Sequence, residues 1–491
     1  MIFLSHIAVR GLTFKYEGNP ENIFENVNLN LSTDWKLGFI GRNGRGKTTF
    51  LQLLLDKYPY SGSINAAVNF DYFPFPVTGQ ERLTGQIIET IAPQAQEWEI
   101  SRELNLLATD TAILDRSFAA LSYGEQTKVL LAALFLRSNN FLLIDEPTNH
   151  LDTLGRQAVA HYLKNKQGFI LVSHDRDFLD QTVDHILSLN KKNIEIQQGN
   201  FTSWYTNKQL QDKFELAQNN KLKGDIKRLQ VSAKEKKGWS DKTEQSKIGS
   251  HAGDRGYIGH KAAKMMKRSK NIEQRQDKAL AEKEKLLQNI EYQADIALFP
   301  LPYIKNRLLA VDNLSICFDN QDVFAQLSFE LLRGDRIAVT GKNGCGKSSL
   351  LKLICGDNIQ HRGLLEIGSN LIISYLPQEA SHLKGNLSSF VKEQDIDLTL
   401  FLSLLRQLDF SREMFERDMS DFSGGQKKKV LLAGSLAKQA HLYIWDEPLN
   451  FIDLYSRIQI ENLILAHNPT MLFVEHDRVF TQKTATRTIE L

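Results

Sequence analysis

The chain has 491 residues, a formal net charge of +2 at pH 7, and a composition of 42% hydrophobic and 24% charged residues. This composition is typical of a soluble globular protein, and the length predicts two or three domains rather than one core. No apolar run reaches the about eighteen residues of a membrane-spanning helix, and Cys317, Cys345 and Cys355 show neither metal-ligand spacing nor an even number. The sequence therefore predicts a protein of the reducing cytoplasm, and disfavours a membrane-embedded or disulfide-rich class.

The first predicted elements are short strands. The N-terminal run MIFLSHIAVRGLTFKY reads as a strand of the mature fold, because it lacks the basic-then-apolar pattern of a signal peptide. Further on, the runs LGFI, FLLID and FILVS are strand-like and are separated by helical patterns. This alternation predicts an α/β domain with a largely parallel sheet over residues 1–205.

A phosphate-binding motif follows the run LGFI. The segment GRNGRGKTTF (41–50) matches G-x-x-x-x-G-K-[ST], in which glycines let backbone N–H groups wrap phosphates at the start of a helix. Lys47 is expected to contact the β- and γ-phosphates, and Thr48 the Mg²⁺ ion. The strand before the motif and the helical pattern after it are the context that this mechanism requires.

Acidic residues end a later apolar run. The run FLLID stops at Asp145, and Glu146 follows directly. At a strand end of the Walker B type, one carboxylate holds the magnesium shell and the next polarises the attacking water. We therefore expect Asp145 to bind metal and Glu146 to be catalytic.

A basic segment lies in the middle of the chain, where we place an interdomain linker at residues 206–300. Residues 221–270 contain fifteen Lys or Arg and five Asp or Glu, a net charge of +10. Apolar residues recur at helical spacing on both sides of a glycine-rich stretch. This pattern predicts an antiparallel helical hairpin with its tip at about 238–259.

The charge of the linker predicts contact with a polyanion such as RNA. The segment GHKAAKMMKRSK (259–270) begins the returning helix, with basic residues on one face and Met265 and Met266 on the other, where they can pack on the partner helix. Two aromatic residues of the tip suit stacking on bases, although local packing is an alternative for each. The predicted RNA contacts are Trp239, Tyr257, Lys261, Lys264, Lys267 and Arg268.

The second half of the chain, residues 301–491, repeats the motifs of the first half in the same order. The repeated segments are GKNGCGKSSL (341–350), FSGGQKKKVLLAGSL (422–436), LYIWDEPLNFID (442–453) and MLFVEHDRVFT (471–481). The spacing from P-loop lysine to strand-end aspartate is 98 residues in the first half and 99 in the second. One domain is therefore present twice, and its histidines at matching offsets are read as contacts to the γ-phosphate. The predicted catalytic residues are Glu146, Glu447, His174 and His476.

Two further segments, FSGGQ (422–426) and LSYGEQ (121–126), follow the two P-loops and are here called the signature segments. With them, the sequence resembles the ATP-binding cassette ATPases over both halves. The resemblance implies an α/β fold with two P-loop ATPase domains, here called cassettes, in tandem and joined by the helical hairpin linker. It implies a functional monomer in which the cassettes pack head to tail, with ATP and Mg²⁺ between the P-loop of one and the signature segment of the other. The implied nucleotide contacts are Tyr16, Gly41, Asn43, Gly44, Gly46, Lys47, Thr48, Thr49, Ser122, Gly124, Gln126, Phe318, Gly341, Asn343, Gly344, Gly346, Lys347, Ser348, Ser349, Ser423, Gly424, Gly425 and Gln426. The implied metal contacts are Thr48, Asp145, Ser348, Gln378 and Asp446.

Three positions depart from the pattern of that family. Phe75 stands where the second cassette has Gln378, so the first site lacks a polar contact unless Gln80 supplies it. Tyr123 and Glu125 interrupt the first signature segment, and EPLNF replaces EPTNH in the second cassette. We expect the two sites to hydrolyse ATP at unequal rates, with both active because each keeps its Asp-Glu pair.

Two cassettes fused through a long charged linker, together with the run EPTNHLD, resemble the ABC-F family, whose members act on ribosomes. The long glycine-rich tip and the runs WKLGFIGRNGRGKTT and LYIWDEPLN look like its antibiotic-resistance members, the Lsa/Vga-like ribosomal protection proteins acting against lincosamides, pleuromutilins and streptogramin A. This resemblance implies ATP-dependent binding to the 70S ribosome, with the linker near 23S rRNA, the P-site tRNA and the peptidyl transferase centre. The alternatives are a housekeeping ABC-F translation factor, the ATPase subunit of a drug exporter and a DNA-repair cassette protein.

Overall fold

The computed structural model describes residues 6–18, 22–149, 151–190, 193–215, 217–218, 221, 224, 228, 260, 263–264, 266–268, 270–271, 274–275, 278, 298–318, 321–342, 344–408 and 410–491. The chain forms two compact units. One unit contains both cassettes (Met1–Thr202 with Gln293–Leu491), and the other is the linker (Ser203–Tyr292). Within the described ranges, every helix is too short or too polar to cross a lipid bilayer.

The first cassette contains two sheets. Its strands are β1 (His6–Phe14), β2 (Phe24–Ser32), β3 (Lys36–Ile40), β4 (Ser61–Asn65), β5 (Asn69–Phe73), β6 (Asn140–Asp145), β7 (Phe169–Val172), β8 (His185–Leu189) and β9 (Ile194–Gln198). The larger sheet has the order β5-β6-β7-β3-β8-β9, and its neighbours are parallel except for β8 and β9. A three-stranded antiparallel sheet has the order β2-β1-β4.

The helices of the first cassette lie between these strands. They are α1 (Lys47–Leu54), α2 (Thr84–Ile91), α3 (Glu97–Leu106), α4 (Tyr123–Phe135), α5 (Thr153–Lys164) and α6 (Arg176–Thr182). Helices α2, α3 and α4, with two short 3₁₀ turns, form a helical segment inserted between β5 and β6. Helix α1 begins at the P-loop lysine, as the motif predicts.

The second cassette repeats this arrangement with one strand fewer in its parallel sheet. Its strands are β10 (Arg307–Phe318), β11 (Gln321–Leu332), β12 (Arg336–Thr340), β13 (His361–Ile367), β14 (Ile373–Leu376), β15 (Leu442–Asp446), β16 (Met471–Val474) and β17 (Arg487–Glu490). Its helices are α7 (Lys347–Ile354), α8 (Leu387–Glu393), α9 (Leu398–Gln407), α10 (Gly424–Ala437), α11 (Leu454–His467) and α12 (Arg478–Thr484). The sheets have the orders β14-β15-β16-β12-β17, which is parallel, and β11-β10-β13, which is antiparallel.

The burial of the strands explains the two sequence patterns. Every residue of β7 and of β16 is buried, because helices cover both faces of a parallel sheet and the strand reads as a continuous apolar run. In β1 buried residues alternate with more exposed ones, as a sheet with one solvated face requires. Since parallel strands end at the same edge, the residues that follow β6, β7, β15 and β16 meet at one edge of each sheet.

The described residues of the linker unit are helical on both sides of the predicted tip. Residues 203–215 are one such stretch, in which Lys208 Nζ pairs with Asp212 Oδ1 at 3.0 Å across one turn. The described positions between 260 and 278 are also helical, as predicted. Met266, which is expected to pack on the partner helix, is 47% exposed, and this expectation stays a prediction. The tip at 238–259 and Met265 lie outside the described residues.

Candidate functional site

Two clefts lie between the cassettes, and each combines the P-loop of one cassette with the signature segment of the other. Their volumes are about 930 Å³ for the first cleft and about 830 Å³ for the second. Residues of the first cleft include Asn43, Gly44, Glu146, His174, Ser423, Gly424, Gly425 and Gln426. Residues of the second cleft include Ser122, Tyr123, Gly124, Glu125, Gly344, Gly346, Lys347, Ser348, Ser349, Gln378, Glu447 and His476. The fold thus brings together segments that lie far apart in the chain.

Each P-loop lysine is folded back onto its own loop. Lys47 Nζ donates hydrogen bonds to the carbonyl oxygens of Gly41 at 2.7 Å and Arg42 at 3.2 Å. Lys347 Nζ donates in the same way to the carbonyl oxygen of Gly341 at 2.9 Å. Burial lowers the pKa of Lys47. A buried ammonium group needs hydrogen-bond acceptors, and these carbonyl groups supply them at the N-terminus of the helix. A bound anion can replace the carbonyl groups as acceptors.

The P-loop glycines are needed for the backbone conformation. Gly44 and Gly46 have φ angles of +79° and +106°, in the left-handed region, and a Cβ on Gly46 would lie 2.7 Å from Ile23 Cγ2. In the second cassette, Gly344 and Gly346 have φ angles of +80° and +92°. The space beside Gly44 and Gly344 is open, so the start of α1 and of α7 can accept an anion.

In the first cassette, the strand-end aspartate is joined to the P-loop. Thr48 Oγ1 donates a hydrogen bond to Asp145 Oδ2 at 2.9 Å, and the Tyr72 hydroxyl donates to the same oxygen at 2.9 Å. Burial raises the pKa of Asp145, although these two bonds act in the opposite direction. A threonine hydroxyl beside a carboxylate is the oxygen pair that a P-loop protein offers to Mg²⁺.

In the second cassette, the equivalent aspartate has unused acceptors. Both carboxylate oxygens of Asp446 are buried, and among the described residues neither has a hydrogen-bond partner of normal geometry. Burial raises the pKa of Asp446, while the nearby Ser348 hydroxyl acts to lower it. Ser348 and Gln378 line the second cleft. A buried carboxylate with free lone pairs beside a hydroxyl and an amide oxygen fits a hard divalent cation.

The glutamate that follows each aspartate lies beside a histidine. Glu146 and Glu447 have φ angles of 52° and 48°, which residues other than glycine rarely adopt and which occur preferentially at functional sites. The Oε1 atom of Glu146 is 3.3 Å from His174 Nε2, and that of Glu447 is 3.4 Å from His476 Nε2. Burial and the charge of Asp145 raise the pKa of Glu146 to about 8. Burial also acts to raise the pKa of Glu447, but the hydrogen bond and charge of His476, together with Gln378 and the charge of Lys428, outweigh it and lower the value to about 2. The two glutamates therefore experience different electrostatic environments.

Asn43 connects several groups of the first cleft. Its Oδ1 accepts a hydrogen bond from Lys47 Nζ at 3.2 Å and lies 3.0 Å from His174 Nε2, while its Nδ2 donates to the carbonyl oxygen of Phe451 in the other cassette at 2.8 Å. Burial and the charge of Lys47 keep the pKa of His174 well below its ordinary value, so its imidazole is neutral near pH 7. The equivalent Asn343 lies outside the described residues.

The signature serines begin helices that open into the clefts. Ser122 Oγ accepts a hydrogen bond from the backbone N–H of Glu125, and Ser423 Oγ from that of Gln426, both at 3.3 Å. The side chains of Glu125 and Gln426 bond back to the serine N–H groups and complete two capping boxes. Glu125 thus holds the position equivalent to Gln426, whereas Gln126 donates to two carbonyl groups of the preceding turn. We therefore assign Glu125 to the second cleft in place of Gln126, because the cap position decides which side chain lies at the helix start.

Two of the implied nucleotide contacts, Tyr16 and Phe318, are aromatic. The Tyr16 hydroxyl lies 2.9 Å from Thr49 Oγ1, beside helix α1. The Tyr16 ring meets that of Tyr58 edge to face at 5.6 Å and is 38% exposed. Phe318 ends strand β10, and its side chain lies outside what the structure describes.

The loop after β5 differs from its counterpart after β14. Phe75 is partly buried and has no lone pair for a metal ion or a water molecule. The carbonyl oxygen of Gln80 accepts hydrogen bonds from the backbone N–H of Ala119 at 2.9 Å and from Ser117 Oγ at 3.3 Å. The backbone of Gln80 is therefore tied to the segment that precedes the first signature helix.

Some residues that follow the Asp-Glu pair of one cassette line the cleft that contains the P-loop of the other cassette, and they are not among the predicted site residues. Asn149, Asp152 and Arg156 of the first cassette line the second cleft, and Phe451 of the second cassette lines the first. A signal for Asn149 and Asp152 was present, because DEPTNHLD and DEPLNFID share an asparagine and an aspartate at these places.

Three of the predicted RNA contacts can be located. Lys264, Lys267 and Arg268 are helical and exposed. Lys261, Trp239 and Tyr257 lie outside the described residues.

The sequence is similar to those of known proteins over most of its length. A family model described as "ABC transporter" matches residues 24–149 and 324–450. The ribosome protection protein VmlR of Bacillus subtilis is 28% identical over 487 residues, which cover 96% of this chain and 84% of the relative. The ATP-binding protein Uup of Caulobacter vibrioides is 27% identical, with 96% and 74% covered. The ABC transporter F family member 2 of Arabidopsis thaliana is 26% identical, with 99% and 76% covered.

Solved structures share the tandem fold. The structure described as a complex of the archaeal ribosomal stalk protein aP1 and the archaeal ribosome recycling factor aABCE1 matches with a TM-score of 0.63 and 18% identity, covering 98% of this chain and 87% of the other. One described as RNase-L Inhibitor matches with a TM-score of 0.62 and 16% identity, with 98% and 87% covered. At these identities the likeness concerns the fold alone.

Proposed function

Because the chain belongs to the ABC transporter family, as an ABC-F ATPase with two nucleotide-binding cassettes, we propose that each of its two clefts binds and hydrolyses one ATP with Mg²⁺. The observation that supports this most strongly is the pairing of each P-loop with the signature helix of the other cassette. Both halves of a cleft contribute helix N-termini, which favour the negative charge of phosphates. Closing a cleft on ATP therefore also joins the cassettes.

The residues of each cleft have separate tasks in this proposal. Lys47 and Lys347 exchange their own loop carbonyls for β- and γ-phosphate oxygens. Mg²⁺, held by Thr48 and Asp145 in the first cleft and by Ser348, Gln378 and Asp446 in the second, supplies charge stabilisation of the phosphate oxygens when bound.

The catalytic step then depends on the strand ends. Glu146 and Glu447 orient and polarise the water that attacks the γ-phosphate, and each histidine beside them, His174 or His476, contacts that phosphate. Ser122 and Ser423, at helix starts, contribute the opposite wall. Positioning and electrostatic stabilisation are the main requirements of phosphoryl transfer, and these groups supply both.

We further propose that the ATP-bound protein acts on the 70S ribosome in the cytoplasm. The net charge of +10 over residues 221–270 favours RNA, and Lys264, Lys267 and Arg268 are exposed on the linker. A relative that covers most of the chain bears the name ribosome protection protein. In this cycle, ATP closes the cassettes, the linker approaches 23S rRNA and the P-site tRNA at the peptidyl transferase centre, and hydrolysis releases the protein.

The finer proposal is that the linker tip displaces bound lincosamides, pleuromutilins or streptogramin A, which makes the protein a resistance factor. A housekeeping translation factor of the same family would bind ribosomes without protecting them from drugs. Uup of Caulobacter vibrioides, which matches over a similar share of the chain, is named only as an ATP-binding protein.

The test is ribosome co-sedimentation of the double variant Glu146→Gln/Glu447→Gln, which should hold ATP without hydrolysing it. We expect this variant in the 70S fraction with ATP and its absence from that fraction with ADP. The matched control is Lys47→Ala/Lys347→Ala, which should not respond to ATP. If the double glutamate variant stays out of the ribosomal fraction, the ribosome proposal is wrong, and recovery with membranes instead would favour an exporter subunit.

A further inference from the structure

A buried lysine connects three segments of the second cassette. Lys428 lies on α10 and is 2% exposed. Its Nζ donates hydrogen bonds to the carbonyl oxygens of Pro377 at 2.8 Å, Gln378 at 3.1 Å and Asp446 at 3.1 Å. An ammonium group has three donors, so all of them are used.

The three acceptors belong to the catalytic part of the second cleft. Pro377 and Gln378 form the loop that follows β14, and Gln378 lines that cleft. Asp446 ends β15 and is followed by Glu447, which lines the same cleft. The ammonium group of Lys428 therefore holds the loop of Gln378 against the strand end that carries the carboxylates.

The helix that carries Lys428 begins at the first cleft. Helix α10 begins next to Ser423, which caps it and lines the first cleft. Lys428 follows Ser423 by five residues, little more than one helical turn. A shift of α10 when the first cleft closes on its ligand must therefore move the ammonium group, and with it the loop of Gln378.

The first cassette is built differently at this point. Thr127 follows Ser122 by the same five residues and so holds the position of Lys428. A threonine carries one hydroxyl donor on a short side chain, in place of three donors on a long one. The loop after β5 also has Phe75 in place of Gln378. The lysine and the glutamine whose loop it holds thus occur together, in one cassette.

We propose that Lys428 is a positioning residue for ATP hydrolysis in the second cleft, and that it links the signature helix of the first cleft to the loop of Gln378. It contacts the loop and the strand end through backbone carbonyl groups and does not touch the nucleotide. The inference rests on the proposed assignment of the clefts as ATP sites. It requires that the loss of Lys428 affects turnover in the second cleft far more than in the first.

The test measures single-turnover ATP hydrolysis of Lys428→Met in three backgrounds: wild type, Glu146→Gln, which leaves the second cleft its glutamate, and Glu447→Gln, which leaves the first. In the Glu146→Gln background, we expect Lys428→Met to lower the rate of the second cleft roughly 10- to 100-fold, because a misplacement of about 1 Å costs rates of that order. In the Glu447→Gln background, we expect it to change the rate of the first cleft little. In the wild-type background, steady-state measurements should show that Lys428→Met lowers kcat and leaves KM nearly unchanged. Lys428→Arg should recover part of the rate, since arginine restores charged donors at the same place.

Lys427→Met is the matched control, since it removes the same charge from the neighbouring residue of the same helix. It should leave the rates in all three backgrounds near those of their parents. An equal loss in the two single-site backgrounds, or no loss in wild type and Glu146→Gln, overturns the inference. Failure of both glutamate variants to bind ATP while Lys428→Met still lowers kcat in wild type would instead contradict the proposed assignment of the clefts.

Discussion

Arg176 of the first cassette and Glu461 of the second form a buried ion pair, with Nη2 2.5 Å from Oε2 and only 7% and 3% of the side chains exposed. Lys483 Nζ lies 2.7 Å from the other oxygen of Glu461 and is about half exposed. The pair joins α6 to α11, immediately after the segment that carries His174. The cassettes are thus joined beside the first cleft by a buried ion pair whose residues belong to neither a P-loop nor a signature segment.

The equivalent place beside the second cleft is different. Ala160 corresponds to Glu461, because each follows the N-cap aspartate of its helix, Asp152 or Asp453, by eight residues. Ala160 and Arg478, the counterpart of Arg176, both line a small cavity of about 20 Å³. An alanine cannot pair with an arginine, so the contact between the cassettes is asymmetric.

Glu461→Ala should strongly destabilise the paired cassettes. It leaves Arg176 buried without its partner, and breaking a buried ion pair in this way costs roughly 3–5 kcal/mol. We expect a clear fall in the thermal unfolding midpoint of the full chain. Lys483→Met is the control: its side chain is 52% exposed, so its contribution should be below about 1 kcal/mol. Equal midpoints for the two variants would contradict the role assigned to the buried pair.

The exchange of Phe75 and Gln378 should shift hydrolysis between the clefts. Phe75→Gln adds a polar side chain to the first cleft, so we expect faster hydrolysis in the Glu447→Gln background, where the first cleft keeps its glutamate. Gln378→Phe removes a ligand from the second cleft, and in the Glu146→Gln background we expect a loss of at least about 10-fold, the range of a missing transition-state contact. Single-turnover rates in both backgrounds measure this. Unchanged rates for both substitutions would show that this position does not distinguish the clefts.

Deletion of residues 240–257 should abolish drug resistance and leave ATP hydrolysis intact. The deleted segment lies in the linker, whereas the clefts are built entirely from the two cassettes. The measurements are growth in the presence of a lincosamide, a pleuromutilin or streptogramin A, and ATP turnover of the purified protein. Resistance that survives the deletion would remove the tip from the mechanism and favour a housekeeping role.

The triple variant Lys264→Gln/Lys267→Gln/Arg268→Gln should bind ribosomes more weakly and with a smaller dependence on salt. Each cation that contacts a phosphate releases about one counterion, so the salt slope of the binding constant should fall by up to about three. Co-sedimentation of the ATP-bound protein over a range of KCl concentrations measures that slope. Arg362→Gln/Lys384→Gln, which removes exposed charge from the second cassette, is the control and should leave it unchanged.

The sequence alone was sufficient for the family, the tandem α/β fold and most cleft residues. Each P-loop is specified by adjacent glycines and a lysine, and each Asp-Glu pair by the apolar strand before it, so these features are encoded locally and appear twice. The sequence also indicated a helix at the signature segment, but it did not show at which residue that helix begins. The choice of Glu125 over Gln126 depends on which residue starts the helix, and only the cap geometry decided that.

The tertiary structure decided which distant groups meet. Arg176 and Glu461 are 285 positions apart, and Lys428 lies 50 positions from Gln378. No periodicity or motif predicts such pairs, because a buried charge takes its partner from whichever element packs against it. The sequence determined that this protein has two copies of one ATPase cassette, since the chemistry of phosphate binding needs particular residues at short spacing. The sequence also showed that the copies differ, as at Phe75 and Gln378, but only the packing of the cassettes placed Glu461 and Ala160 opposite their arginines, across an interface that no local pattern describes.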